Sequence, residues 1–132
     1  MTMYSDDELL ELQESLPVSN DDTTYRAFMP AHRQPFITFR LARDDYRAKS
    51  YLHLFEVISD GEDGKEIGLV FATTVVKING RNLQELAEHL QSHKVKFVQV
   101  FDAGRWEEPA DHKKAVITSI SYEEPQKEPA KD

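Results

Sequence analysis

The chain has 132 residues, 39% of them hydrophobic and 30% charged, with a formal net charge of -8 and no cysteine. A chain of that size buries a real core as one ordinary domain, and the missing thiols exclude disulfides, thiolate metal sites and cysteine nucleophiles. No run approaches the ~20 apolar residues that a membrane helix needs, and the acidic start is unlike a signal peptide, so the expectation is a cytoplasmic protein with no membrane partner.

The charge is unevenly spread. Residues 1–24 hold Asp6, Asp7, Glu8, Glu11, Glu14, Asp21 and Asp22 and no Lys or Arg. Setting those 7 acids aside leaves 17 of the 24 acids against 16 basic residues. The body is therefore nearly neutral, and the acidity belongs to an N-terminal arm. Within that arm Ser5-Asp6-Asp7-Glu8 has the form of a capping box, in which Ser5 and Glu8 each satisfy the other's amide. Leu9, Leu12 and Leu16 follow at helical spacing and Pro17 ends the pattern, which predicts a helix over 6–16. Its leucine stripe either packs on the body or presents itself to a groove on a partner. Residues 19–24 read as a polar linker.

Residues 25–35 are irregular because Pro30 and Pro35 disfavour helix in the residue before each; Tyr25, Phe28 and Met29 are expected to anchor on the body. From Phe36 the pattern is extended, with Ile37, Phe39 and Leu41 on one face and Thr38 and Arg40 on the other. Residues 42–49 are charged and turn-like, a second strand covers 50–58, and the acidic, glycine-bearing stretch 60–66 forms a hairpin loop. A third strand over 67–78 is apolar on both faces, as a central strand covered on both sides would be. Asn79-Gly80 then leads into a helix that begins near Arg81 and buries Leu83, Leu86, Ala87 and Leu90. A fourth strand spans 95–101, a loop 102–112 and a last strand 113–122. If the third and fourth strands are parallel neighbours in one sheet, their connection is right-handed.

These elements predict an α+β fold: a single domain with a mainly antiparallel sheet of about five strands, one amphipathic helix packed on it, and the acidic N-terminal helix. The division is an acidic helix and linker over 1–24, the α+β domain over 25–122, and a charged tail without structure over 123–132.

Few residues announce chemistry. His89 and His93 stand four apart on the helix, but the position after His89 is Leu90 where a metalloprotease helix needs Glu, so the pair reads as a solvated helix flank. Asp60, Glu62 and Asp63 lack the alternating ligands and closing Glu of a calcium loop. Neither a nucleophile elbow nor a phosphate-binding glycine loop is present, and neither a metal nor a cofactor is expected.

The informative stretch is basic. Arg33, Arg40, Arg43, Arg47 and Lys49 outnumber Asp44 and Asp45, and Phe36, Phe39, Tyr46 and Tyr51 lie among or beside them. Such interleaving suits single-stranded nucleic acid or a phosphate-bearing ligand. The alternative is that Phe36 and Phe39 are core and the arginines a solvated hairpin rim. In a further reading the acidic arm covers this strip and a ligand displaces it. Arg105 and Trp106, in the loop at 102–112, are either interface anchors or, for Trp106, a plug at the end of the sheet.

The leading expectation is a small non-catalytic binding or regulatory module acting through protein–protein contacts. It would self-associate as a homodimer, because one helix leaves a sheet face to be buried. The candidate binding residues are Arg40, Arg43, Arg47, Lys49, Tyr51, Arg105 and Trp106. One alternative is a nucleic-acid-associated regulator using the basic hairpin 33–49. Another is a small enzyme or ligand carrier with a pocket between sheet and helix, offering His53, Arg40 and Tyr51.

Overall fold

The computed structural model describes residues 24–124; the helix expected over 6–16 and most of the charged tail lie outside them. Eight strands and one helix follow in order: β1 (Phe28–Pro30), β2 (Phe36–Ala42), β3 (Asp45–Ser50), β4 (Leu54–Ser59), β5 (Glu66–Phe71), β6 (Val75–Arg81), α1 (Gln84–Gln91), β7 (Val95–Gln99) and β8 (Val116–Glu123). They form two four-stranded sheets, ordered β1-β7-β2-β3 and β4-β5-β6-β8. Every pairing is antiparallel except β2 with β7.

The single sheet of about five strands expected from the pattern is thus corrected to two sheets, because two stretches conceal more structure than their composition shows. The supposed long strand over 67–78 is a hairpin. The amide of Phe71 donates to the carbonyl of Thr74 at 2.8 Å, and Val70 stands opposite Val75. Ile67, Leu69 and Phe71 are buried on odd positions, Val76 and Ile78 on even ones. The turn shifts the alternation by one residue, so two half-buried strands imitate one strand buried on both faces.

The charged stretch after β2 is likewise mostly strand: only Arg43-Asp44 turns, and β3 runs back along β2. The strand expected over 50–58 starts instead with a 3-10 turn, Tyr51–His53, in which the Ser50 hydroxyl accepts from the amide of Leu52. That turn carries the chain from one sheet to the other.

Asn79-Gly80 is not the entry to the helix. Both residues lie inside β6, at a bulge opposite β8. The junction residue is Asn82, with φ 58, a conformation Asn tolerates better than most residues. Its Nδ2 donates to the carbonyls of His112 at 2.7 Å and Lys114 at 3.0 Å, which ties the helix entry to the loop before β8. Helix α1 buries the expected face, Leu83, Leu86, Ala87 and Leu90. It packs against β4 of one sheet and β7 of the other. Because β6 and β7 belong to different sheets, the crossover rule has no pair to act on here.

The inward faces of the two sheets share one core, in which Phe39 meets Phe71 and Tyr122 edge-on at 6.3 and 5.9 Å. Each sheet therefore covers the other, and the open face that motivated a homodimer is filled by the chain itself. Tyr25 anchors the N-terminal end as expected: its hydroxyl donates to the carbonyl of Gln99 at 2.6 Å and accepts from the amide of Ile117 at 3.0 Å. Among the described residues no helix is long and apolar enough to cross a membrane.

Candidate functional site

Strand alternation decides what faces outward. On β2, Ile37 and Phe39 point into the core, so Phe36, Thr38 and Arg40 point out. The parallel register places Thr38 beside Phe97 and Arg40 beside Gln99, while the antiparallel register places Arg40 opposite Tyr46 and Thr38 opposite Ala48. The outward positions around Arg40 thus carry two further rings and no acid.

Arg40 is held between those rings. Its guanidinium carbon lies 3.6 Å from the centroid of Phe97 and 5.0 Å from that of Tyr46. Its Nε is buried without a hydrogen-bond partner. Burial lowers the Arg40 pKa, with Tyr46 opposing and the neighbouring charge of Arg105 adding to the shift. An arginine still keeps its proton at neutral pH. The group is a fixed positive charge, flattened against an aromatic ring, with donor capacity left over.

Beside it opens a cleft of about 270 Å³ whose wall includes Arg43, Phe101, Asp102, Arg105 and Trp106. Asp102 builds the wall: its Oδ1 accepts from the amide of Gly104 at 2.9 Å, and its carbonyl from those of Arg105 at 2.9 Å and Trp106 at 3.0 Å. That turn presents Arg105, whose guanidinium carbon sits 4.4 Å from the Trp106 ring. Trp106 itself is buried and folded back on Tyr25, ring centroids 5.1 Å apart. Three arginines, Arg40, Arg43 and Arg105, share the cleft lining with one acid, Asp102, whose Oδ1 is engaged by its own loop. Among the described residues none of the three is in a salt bridge. Such forks bind phosphate or carboxylate oxygens in pairs.

Arg47 and Lys49 do not join them. They stand opposite Phe39 and Ile37, hence on the inner side of edge strand β3. There, with Thr74 and Tyr122, they line a second groove of about 350 Å³. Arg47 pairs with Asp45 at 3.2 Å and lies over the Tyr122 ring at 4.6 Å; Lys49 Nζ donates to Thr74 Oγ1 at 3.3 Å. Burial pushes the Tyr122 phenol up to about 12, with Arg47 opposing and Asp45 adding to the rise. The basic strip of the sequence is thereby split across two faces.

Tyr51 faces the core in this fold. It is buried, its hydroxyl donates to the carbonyl of Val95 at 2.7 Å, and its ring stacks on His93 at 4.5 Å. Neither Tyr51 nor His53 lines the cleft with Arg40, so the grouping of the three into one pocket is corrected. His89 and His93 also part company. The Nδ1 of His89 is 2.9 Å from the carbonyl of Glu85. His93 ends the helix at φ 62, and burial, seconded by Arg33, lowers its pKa. No group of three or more His, Asp or Glu among the described residues is placed to hold a metal ion.

Sequence reasoning missed Phe97, which meets Arg40 through the parallel pairing of β2 with β7, and Phe101, which joins the cleft wall; neither contact has a local signal. Comparison with protein-family models, curated proteins and solved structures found no match.

Proposed function

We propose that the chain is a small non-catalytic binding domain that holds the phosphate groups of an anionic ligand in the cleft of Arg40, Arg43 and Arg105. The observation that carries this reading is Arg40: a charge fixed between Phe97 and Tyr46, lining a cleft that also takes in Arg43 and Arg105. Binding is favoured over catalysis because the cations of the cleft are guanidiniums, which hold charge and do not exchange protons near neutral pH. Titration calorimetry with inorganic triphosphate at low salt tests it. Arg40→Gln and Arg105→Gln should each weaken binding roughly tenfold, the scale of one lost charge-assisted hydrogen bond. Triphosphate that does not bind, or binds both variants as it binds the parent chain, sinks the proposal.

A second reading rests on β4, one of the two edge strands of its sheet. Leu52, Phe55 and Ile58 are 84%, 69% and 51% exposed at or beside it. An exposed apolar edge offers unpaired backbone groups to another strand, which keeps self-association through protein–protein contacts as an alternative function. Sedimentation velocity over a range of concentrations should then show a dimer that Phe55→Lys dissociates. A monomer at every concentration would rule it out.

A further inference from the structure

We infer that the ligand of this face is single-stranded nucleic acid, laid along β2 from the cleft toward Phe36; the inference rests on the cleft reading and names its ligand. The cleft accounts for the charge but not for the rings outside it. Phe36 is 53% exposed and Tyr46 47% exposed, both on the outward side of the same sheet as Arg40. Two half-exposed rings on one strand face offer a flat group surfaces to stack on.

Their placement is ordered. Phe36 and Arg40 are four residues apart on one strand and share a face, so they stand about 13 Å apart at the rise of a β-strand. Tyr46 lies directly across from Arg40. A ligand anchored at the cleft therefore meets Tyr46 first and Phe36 farther along. Between them the face offers Thr38 and Ala48, small enough to let a flat group approach, over a floor containing Phe97. At the β1 side Arg26 adds an exposed cation, its Nη1 3.3 Å from the sulfur of Met29, and Met29 pairs with Phe97. Charge at one end and along one flank, with rings spaced between, matches a chain that repeats phosphate and base. An acidic peptide would use the arginines and leave the rings idle. A duplex would hide its bases from them.

Fluorescence anisotropy of a 5′-labelled single-stranded oligothymidylate with the full chain tests the inference, alongside triphosphate calorimetry. Phe36→Ala removes an exposed ring well away from the cleft. It should weaken oligothymidylate binding about fivefold or more, the lower end of one lost stacking contact. Triphosphate binding should stay unchanged, and Phe36→Tyr should restore the oligonucleotide. Arg40→Gln should weaken both probes. Oligothymidylate binding that ignores Phe36→Ala overturns the inference, as does tighter binding of polyglutamate or of a duplex of equal length. In either case triphosphate binding sensitive to Arg40→Gln leaves the cleft reading standing, whereas loss of triphosphate binding from the parent chain removes both.

Discussion

Gly80→Ala is expected to cost about 3 kcal/mol or more of stability, the upper range for forcing an extra carbon into a packed site. Gly80 sits at the β6 bulge, opposite Ile117. A methyl there would overlap the carbonyl oxygen of Val116 and stand 2.9 Å from the Cα of Ile117. These are backbone atoms, so no rotamer change relieves them, and the two strands must separate. Separation also reaches the cleft, because the carbonyl of Ile117 accepts from the amide of Phe101 at 2.8 Å and Phe101 is part of the cleft wall. Urea unfolding should show a lower midpoint, and calorimetry a weaker grip on triphosphate. A midpoint equal to that of the parent chain would show that β8 does not press on Gly80.

Tyr25→Phe should cost about 2–3 kcal/mol, since it strips a buried donor and a buried acceptor of one partner each. The lost groups are the amide of Ile117 and the carbonyl of Gln99, so one oxygen now joins β7 to β8, members of different sheets. Tyr51→Phe is the internal comparison. Its hydroxyl serves a single acceptor, the carbonyl of Val95, and a loss of about 1 kcal/mol is expected. The sign at high pH follows from burial, which pushes the Tyr25 phenol up despite the hydrogen bond to Ile117 and the charge of Arg81. In the unfolded chain the phenol ionises near pH ~10 while the folded one keeps its proton. The folded state then binds more protons, and stability falls as pH rises past that value. Tyr25→Phe should flatten this alkaline loss. Equal costs at Tyr25 and Tyr51 would contradict the bridging role, and equal slopes for Tyr25→Phe and the parent chain would contradict the effect of burial on the Tyr25 phenol.

What could be read beforehand was what the chain encodes locally. The i, i+3, i+4 spacing of Leu83, Leu86, Ala87 and Leu90 gave α1, the glycines at 61 and 64 gave the loop between β4 and β5, and alternation gave β2. The turn at 72–74 escaped because Ala-Thr-Thr carries none of the residues that favour turns; only the slip from odd to even positions betrays it. Strand β3 escaped because Asp45, Arg47 and Lys49 look like loop, although charge along an edge is what keeps an edge strand from pairing with neighbours. The site was half legible. The arginines could be counted, but their division depends on the phase of β3, and Arg105 reaches Arg40 from 65 positions away in a chain of 132.

Thr24 forms a parallel bridge with Glu107, next to the Trp106 and Arg105 that wall the cleft. The loop that carries Arg105 and Trp106 is thereby tied, one residue on at Glu107, to the segment whose Tyr25 hydroxyl joins β7 to β8. The wall of the cleft and the seam between the two sheets share one anchor.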